Sequence, residues 1–269
     1  MVSKDQVGRS VKSPVNPVRI ISTVPSISEL LYDLGLNDRL VGVTKFCVNP
    51  SDLLRTKAIV GGTKNLNFDK IHSLKPDLII ANKEENIKEQ ILELEKHYPV
   101  WISDVDGLDT AIEMINQIGT ITSKEEKAEK INDEIKLEFN KLSEYLRTNN
   151  MGTKKAIYII WNDPCMLAGN DTFIHELMKK CNFNNAIAKG RYPEFSESEL
   201  SKLNPDYVLL SSEPFPFKDK HQSKFESMFP NPIVKLVDGE MFSWYGSHII
   251  KAPEYFISLL NELNNKNHS

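Results

Sequence analysis

Several stretches of this 269-residue chain gather side chains suited to hold a ligand. Phe46-Cys47 joins a ring to a soft thiol just after an apolar run. The ring could contact a ligand and Cys47 could approach a metal axially; otherwise the pair packs under its own lobe. Trp161 opens Trp161-Asn162-Asp163-Pro164-Cys165 with a large apolar face and one N–H donor, as a binding surface or a core position would use. Phe242, Trp244, Tyr245 and His248 put four rings in seven residues and read as a ligand platform. His248 could ligate iron or cobalt through a ring nitrogen, or serve as a hydrogen-bonded helix-start residue. Pro25-Ser26 precedes a helical pattern, where free backbone N–H groups could hold a carboxylate or phosphate. Ser26 and Glu29 also have the spacing of a capping box. Thr63-Lys64 follows Gly61-Gly62; small residues there allow close backbone approach, and Lys64 is either a partner for an anionic group or a solvated loop lysine.

None of these groups forms a catalytic constellation: the chain has no G-x-S-x-G, H-E-x-x-H, P-loop or G-x-G-x-x-G. Cys47, Cys165 and Cys181 are odd in number and widely spaced, unlike a zinc cluster, and read as reduced thiols. No resident metal or intrinsic cofactor is expected.

The elements that must position these residues alternate between short apolar runs and helical patterns. Strands are expected at 18–22, 40–43, 58–60, 76–81, 100–103, 155–160, 206–211 and 233–237. Helices are expected from Ser26 to Leu34, over 68–74, about 87–94 and 173–181. From Lys124 to Thr148 a Lys/Glu-rich stretch without Gly or Pro spaces Ala128, Ile131, Ile135, Phe139 and Leu142 as one stripe, which predicts a long amphipathic helix. The run Phe68 to Ile80 repeats as Glu197 to Leu209 at an offset of 129 residues, each copy reading short helix, Leu-X-Pro-Asp turn, buried strand. The residue before a proline avoids the α conformation, so the helix stops there.

The fold class expected is α/β: two Rossmann-like lobes with mostly parallel sheets, joined by one long backbone helix. The divisions expected are an N-terminal extension at 1–18, an N-lobe at 19–123, the linking helix at 124–150 and a C-lobe at 151–269. Open α/β sheets bind ligands beyond the carboxyl ends of their strands, so an interlobe pocket is expected.

Arg19 to Leu31, Leu34-Gly35, Val41 to Thr44 and Leu74 to Ile79 resemble the cobalamin/iron-siderophore periplasmic binding proteins, the class whose lobes are bridged by one long helix. Asp5 to Arg9 resembles the start of mature members, and the likeness runs from about residue 5 to 260. It implies capture of a cobalt or iron chelate (cobalamin, haem or ferric siderophore) for an ABC permease of the inner membrane, by a periplasmic monomer. Aromatics at Phe46, Tyr192 and Phe242 or Trp244 would cradle the ligand. Thr63 and Asn82 stand where cobalamin-binding members carry rings, and Cys181 matches one partner of a family disulfide whose second cysteine is missing. Asp69 matches the N-lobe residue that docks on the permease, and Glu197 and Glu199 flank the C-lobe position. As plain chemistry, the three are acidic residues near helix N-termini, favoured by the dipole.

The net charge of −4 and the lack of a basic run interleaved with aromatics argue against a nucleic-acid partner. Residues 1–18 carry no apolar signal core. The competing expectation is therefore a cytosolic chelate enzyme or carrier on the same fold.

Overall fold

The structure is a computed structural model that describes residues 1–188, 190–229 and 232–267. The chain divides into two compact units. The first takes Met1–Val105, Asp109–Ile135 and Tyr245–His248. The second takes Asp106–Leu108, Lys136–Trp244 and the chain from Ile249.

In the first unit, strands β1 (Ile20–Ser22), β2 (Leu40–Val43), β3 (Ala58–Ile59), β4 (Leu78–Asn82) and β5 (Val100–Ser103) form an all-parallel sheet of order β3-β2-β1-β4-β5. Every residue of β1 and β4 is buried, as expected for central parallel strands covered on both faces. The connecting helices are α1 (Pro25–Asp33), α2 (Phe68–Leu74), α3 (Lys88–Glu95) and α4 (Leu108–Thr122). Ile21, Ile71, Ile79, Ile91, Leu94 and Val100 pack as a core on one side of the sheet. The N-terminal segment is part of this unit. Gln6 donates to the Thr110 carbonyl at 2.8 Å, and the Asp5 carboxylate holds the Arg9 guanidinium at 2.7 Å.

Helix α5 (Glu125–Thr148) is 24 residues long, about 36 Å at the α-helical rise. Of the stripe read from the sequence, Ala128, Ile135, Phe139 and Leu142 are fully buried and Ile131 partly so.

The second unit is built on β6 (Lys154–Asn162), β7 (Cys165–Leu167), β8 (Phe183–Asn185), β9 (Glu194–Phe195), β10 (Tyr207–Ser211) and β11 (Ile233–Val237). The order is β9-β7-β6-β10-β11, with β8 also on β6. β6, β10, β11 and β8 run parallel, whereas β7 and β9 form an antiparallel margin. Helices α6 (Phe173–Lys180), α7 (Glu197–Leu200), α8 (Asp219–Met228), α9 (Glu240–Ser243) and α10 (Ala252–Asn267) complete it.

The sequence repeat has a structural cause. In both copies the residue before proline takes a left-handed backbone, Lys75 at φ +48° and Asn204 at φ +45°. Lys75 is the cap that ends α2, whereas α7 already stops at Leu200 and Asn204 lies in the turn that follows. The following aspartate then grips the first strand of its own unit. Asp77 accepts from the Val18 and Arg19 N–H groups at 2.8 and 2.9 Å, and Asp206 accepts from the Lys155 N–H at 2.7 Å. A basic side chain beside the grip returns to the segment before the proline: Arg19 donates to the Leu74 carbonyl and Lys155 to the Leu203 carbonyl. The same residues thus shape the turn into a strand and fix its neighbour in each unit.

The helix start expected at Ser26 is corrected. Helix α1 begins at Pro25 with Val24 as its cap, because the fixed φ of proline suits the first helical position. Glu29 does not turn back to Ser26; its carboxylate meets the His248 Nδ1 at 2.8 Å. Helices α4, α8 and α9 were not foreseen, nor was the one-turn helix Leu53–Thr56 between β2 and β3, nor were the marginal strands β7, β8 and β9.

Candidate ligand-binding surfaces

In the first unit, the loops after β1, β2 and β4 gather at the carboxyl end of the sheet. After β1, Pro25 and Ser26 are buried, so the first turn of α1 is covered. Tyr245 lies against Ser26, and its hydroxyl donates to Glu85 Oε1 at 2.8 Å. Burial, then the nearby Glu85 carboxylate, push the Tyr245 phenol well above its ordinary range. Gly246, at φ +97°, leaves room for this contact: a Cβ there would meet the Ser26 carbonyl at 3.3 Å and Leu30 Cβ at 3.4 Å. His248 is 3% exposed and paired with Glu29, so it is a buried, bonded residue of this unit.

After β2, Phe46 is 50% exposed, with the Lys45 ammonium 5.1 Å from its ring centroid. This is a cation–π pair at a surface. Gly62 lies beneath it, where a Cβ would come within 3.3 Å of the ring. Cys47 points the other way. Its buried thiol donates to Ser28 Oγ at 3.2 Å and lies 3.4 Å from Thr44 Oγ1. Burial pushes its pKa up, with the Ser28 and Thr44 hydrogen bonds offsetting only part, so the thiol stays protonated and inside. Thr63 is half-buried and its carbonyl accepts from Asn86 Nδ2 at 2.9 Å. Lys64 is exposed and donates to the Glu84 carbonyl at 2.7 Å. Asn82 shapes the loop after β4: its Oδ1 accepts from the Glu84 and Glu85 N–H groups at 2.8 and 2.9 Å, and its Nδ2 donates to Ser103 Oγ at 3.0 Å.

In the second unit, Trp161 is the penultimate residue of β6 and is 38% exposed, with Nε1 donating to the Asp163 carbonyl at 3.0 Å. Its ring packs edgewise on Phe215 at 5.6 Å between centroids, and Phe215 on Phe217 at 4.7 Å. His221 caps both phenylalanines, at 5.2 and 5.6 Å. The His221 Nδ1 accepts from the Lys218 N–H at 2.9 Å, which leaves its proton on Nε2. This aromatic ladder lies past the carboxyl ends of β6 and β10. Phe215, Phe217 and His221 were missed in the sequence, although Pro214-Phe215-Pro216-Phe217 follows a buried strand and carries the signal.

The densest aromatic run is packed rather than displayed. Phe242 is fully buried, 5.0 Å from Tyr158 and 4.7 Å from Phe256, so neither face is open. Trp244 and Tyr245 are buried too. Tyr192 is half-buried in the loop before β9. Among the acidic residues, Asp69 and Glu197 are exposed, and Glu197 lies 3.4 Å from Lys224. Glu199 is committed to the capping box of α7, accepting from the Ser196 N–H at 2.8 Å. All three cysteines are free thiols.

A family model described as periplasmic binding protein matches residues 20–235. An ABC transporter substrate-binding lipoprotein of Bacillus subtilis, itself uncharacterised, is 27% identical over 214 residues, which is 77% of this chain and 68% of that protein. A vitamin B12-binding protein of Pectobacterium carotovorum is 22% identical over 250 residues, covering 92% of this chain and 90% of its own length. The crystal structure of the periplasmic vitamin B12 binding protein of Vibrio cholerae superposes with a TM-score of 0.80 at 20% identity, over 93% of this chain and 99% of that one.

Proposed function

We infer that this chain, which belongs to the periplasmic binding protein family, captures a metal chelate of the cobalamin, haem or ferric-siderophore class and hands it to an ABC permease. The family consists of substrate-binding proteins, so the chain is a binding protein and not an enzyme. The observation that carries the ligand class is the aromatic ladder of Trp161, Phe215 and Phe217, with Trp161 open to solvent at the carboxyl end of its sheet. A flat, largely apolar chelate gains most from such ring faces, and a small polar solute gains little. In the first unit, considered by itself, Phe46 with Lys45 offers a ring and a cation that would suit a ligand carboxylate, and Lys64 is a positive charge there. Pro25, Ser26, Thr63, Tyr192, Tyr245 and His248 shape the loops on which these contacts stand.

On this reading the protein works as a monomer on the outer side of the cell membrane, without a nucleic-acid partner. No helix among the described residues is long and apolar enough to cross a membrane. The exposed carboxylates Asp69 and Glu197 are the groups offered to the permease, with Glu199 holding the α7 turn in place.

The test is a visible-absorption titration with haem, cobalamin and ferric siderophores, read together with tryptophan fluorescence. One class shifts its spectrum saturably, and Trp161→Ala weakens that binding by about tenfold, the range for losing one stacked ring. Silence from all three classes refutes the chelate reading.

A further inference from the structure

A second group of ligating side chains lies at the opposite edge of the first unit's sheet. His72 sits in the last turn of α2, and His97 and Tyr98 in the turn after α3. Both helices run back toward the starts of β4 and β5, so these residues cluster at the amino ends of the strands. Ligands of open α/β sheets sit at the carboxyl ends, so the cluster stands apart from the loops around Phe46.

Both imidazoles are exposed, and their ring centroids are 5.2 Å apart with the planes at 90°. With a metal–nitrogen bond of about 2.0–2.1 Å, two imidazoles sharing one ion at a tetrahedral angle put their centroids about 5 Å apart. An ion on the His72 Nε2 requires the proton on Nδ1, and the Tyr98 hydroxyl lies 2.8 Å from that Nδ1, placed to accept it. Such an orienting partner on the far ring nitrogen is the usual companion of a metal-bound histidine. Glu93, four residues before His97, keeps its carboxylate on the Lys96 ammonium at 2.5 Å and is not counted as a ligand. Among the described residues no three His, Cys, Asp or Glu side chains gather around one point, so water would fill the rest of the shell.

We propose that His72 and His97 form a surface site for one divalent transition-metal ion of the zinc, nickel or copper class, separate from the chelate cargo. Imidazole suits these borderline ions, whereas magnesium and calcium prefer oxygen ligands. Exposure lets the ion enter without any movement of the fold and leaves room for the side-chain torsions to bring one nitrogen of each ring toward it.

The experiment uses the full, untagged chain, titrated with Zn²⁺ by calorimetry and with Cu²⁺ by electron paramagnetic resonance. The expected result is one equivalent bound, with nitrogen hyperfine structure from two imidazoles on copper. Tyr98→Phe weakens Zn²⁺ binding by about tenfold, the lower end for loss of an orienting partner. His72→Ala and His97→Ala each weaken it further and leave one nitrogen on copper. Thermal melts check that the variants are folded, and His72→Gln repeats the test with side-chain bulk retained. Zn²⁺ binding that survives in His72→Ala and His97→Ala means an adventitious ion only, bound elsewhere, and overturns the site. So does the absence of saturable binding.

Discussion

Replacing Asp77 by alanine removes the acceptor for two backbone N–H groups, those of Val18 and Arg19. Its counterpart, Asp206, accepts one such bond, from Lys155. A hydrogen bond to a charged acceptor contributes about 1.5–3 kcal/mol. Asp77 is half-buried and Asp206 exposed, so solvent screening takes both to or below the low end. The expected local costs are about 2 kcal/mol for Asp77→Ala and about 1 kcal/mol or less for Asp206→Ala. The ladder bonds from the Asp77 N–H to the Arg19 carbonyl and from the Asp206 N–H to the Lys155 carbonyl remain in both variants. At about 1.4 kcal/mol per factor of ten, amides at the start of β1 exchange about 30-fold faster in Asp77→Ala, and those at the start of β6 up to about fivefold faster in Asp206→Ala. Hydrogen–deuterium exchange read by mass spectrometry resolves peptides covering 18–22 and 154–160. Equal effects of the two substitutions would refute the reasoning. An Asp77→Ala response spread evenly over both peptides would do the same, because the grip would then not be local.

Alkaline pH gives a second test. Burial raises the Cys165 thiol from 9.0 to about 12 and the Tyr255 phenol from 10.0 to about 12, and it pushes Tyr158 well above its ordinary range. Each group stays protonated when folded and ionises when unfolded, so the unfolded chain binds fewer protons and stability falls as pH rises from about 9 to about 12. Melting temperatures flat to pH 9 and dropping steeply above it are expected; a flat profile through pH 11 contradicts the burial of these groups. In the second unit's core, Phe242→Ala removes a ring packed on Tyr158 and Phe256 and costs about 3–5 kcal/mol, read as a lower urea midpoint. A loss under about 1 kcal/mol would mean that the ring is not a core element.

The strands could be read from the sequence because central parallel strands are buried on both faces and therefore appear as uninterrupted apolar runs, as at Leu78–Ala81 and Tyr207–Leu210. Helix α4 was hidden by composition. Ile112, Ile115, Ile118, Thr120, Ile121 and Thr122 are β-branched and Gly119 interrupts them, so local propensity points away from a helix. The glycine serves packing: a Cβ there would sit 2.5 Å from that of Ala128, where the start of α5 crosses close by. Helix α8 was hidden for the opposite reason, since only Phe225 of its ten residues is buried and no apolar stripe marks it. The candidate contacts were less legible. Phe46 and Trp161 could be picked by type and position after a strand. The run from Phe242 to His248 has the same look on paper, and its burial is decided by Tyr158, Glu85 and Glu29, all distant in sequence, together with Phe256 on the helix that follows. The Ser26–Glu29 capping box failed likewise, because a partner 219 residues away claimed the carboxylate.

That pairing bears on how the chain is made. The first unit is complete only when Tyr245–His248 arrives, so a ribosome must add 219 residues after Glu29 before its imidazole appears. Early in synthesis the amino-terminal sheet stands with one side of α1 uncovered. Contacts of such sequence separation form late and slowly. The nascent protein therefore passes through a long interval in which its first unit waits on four residues made long afterwards, and any premature stop upstream of position 245 leaves both units unfinished.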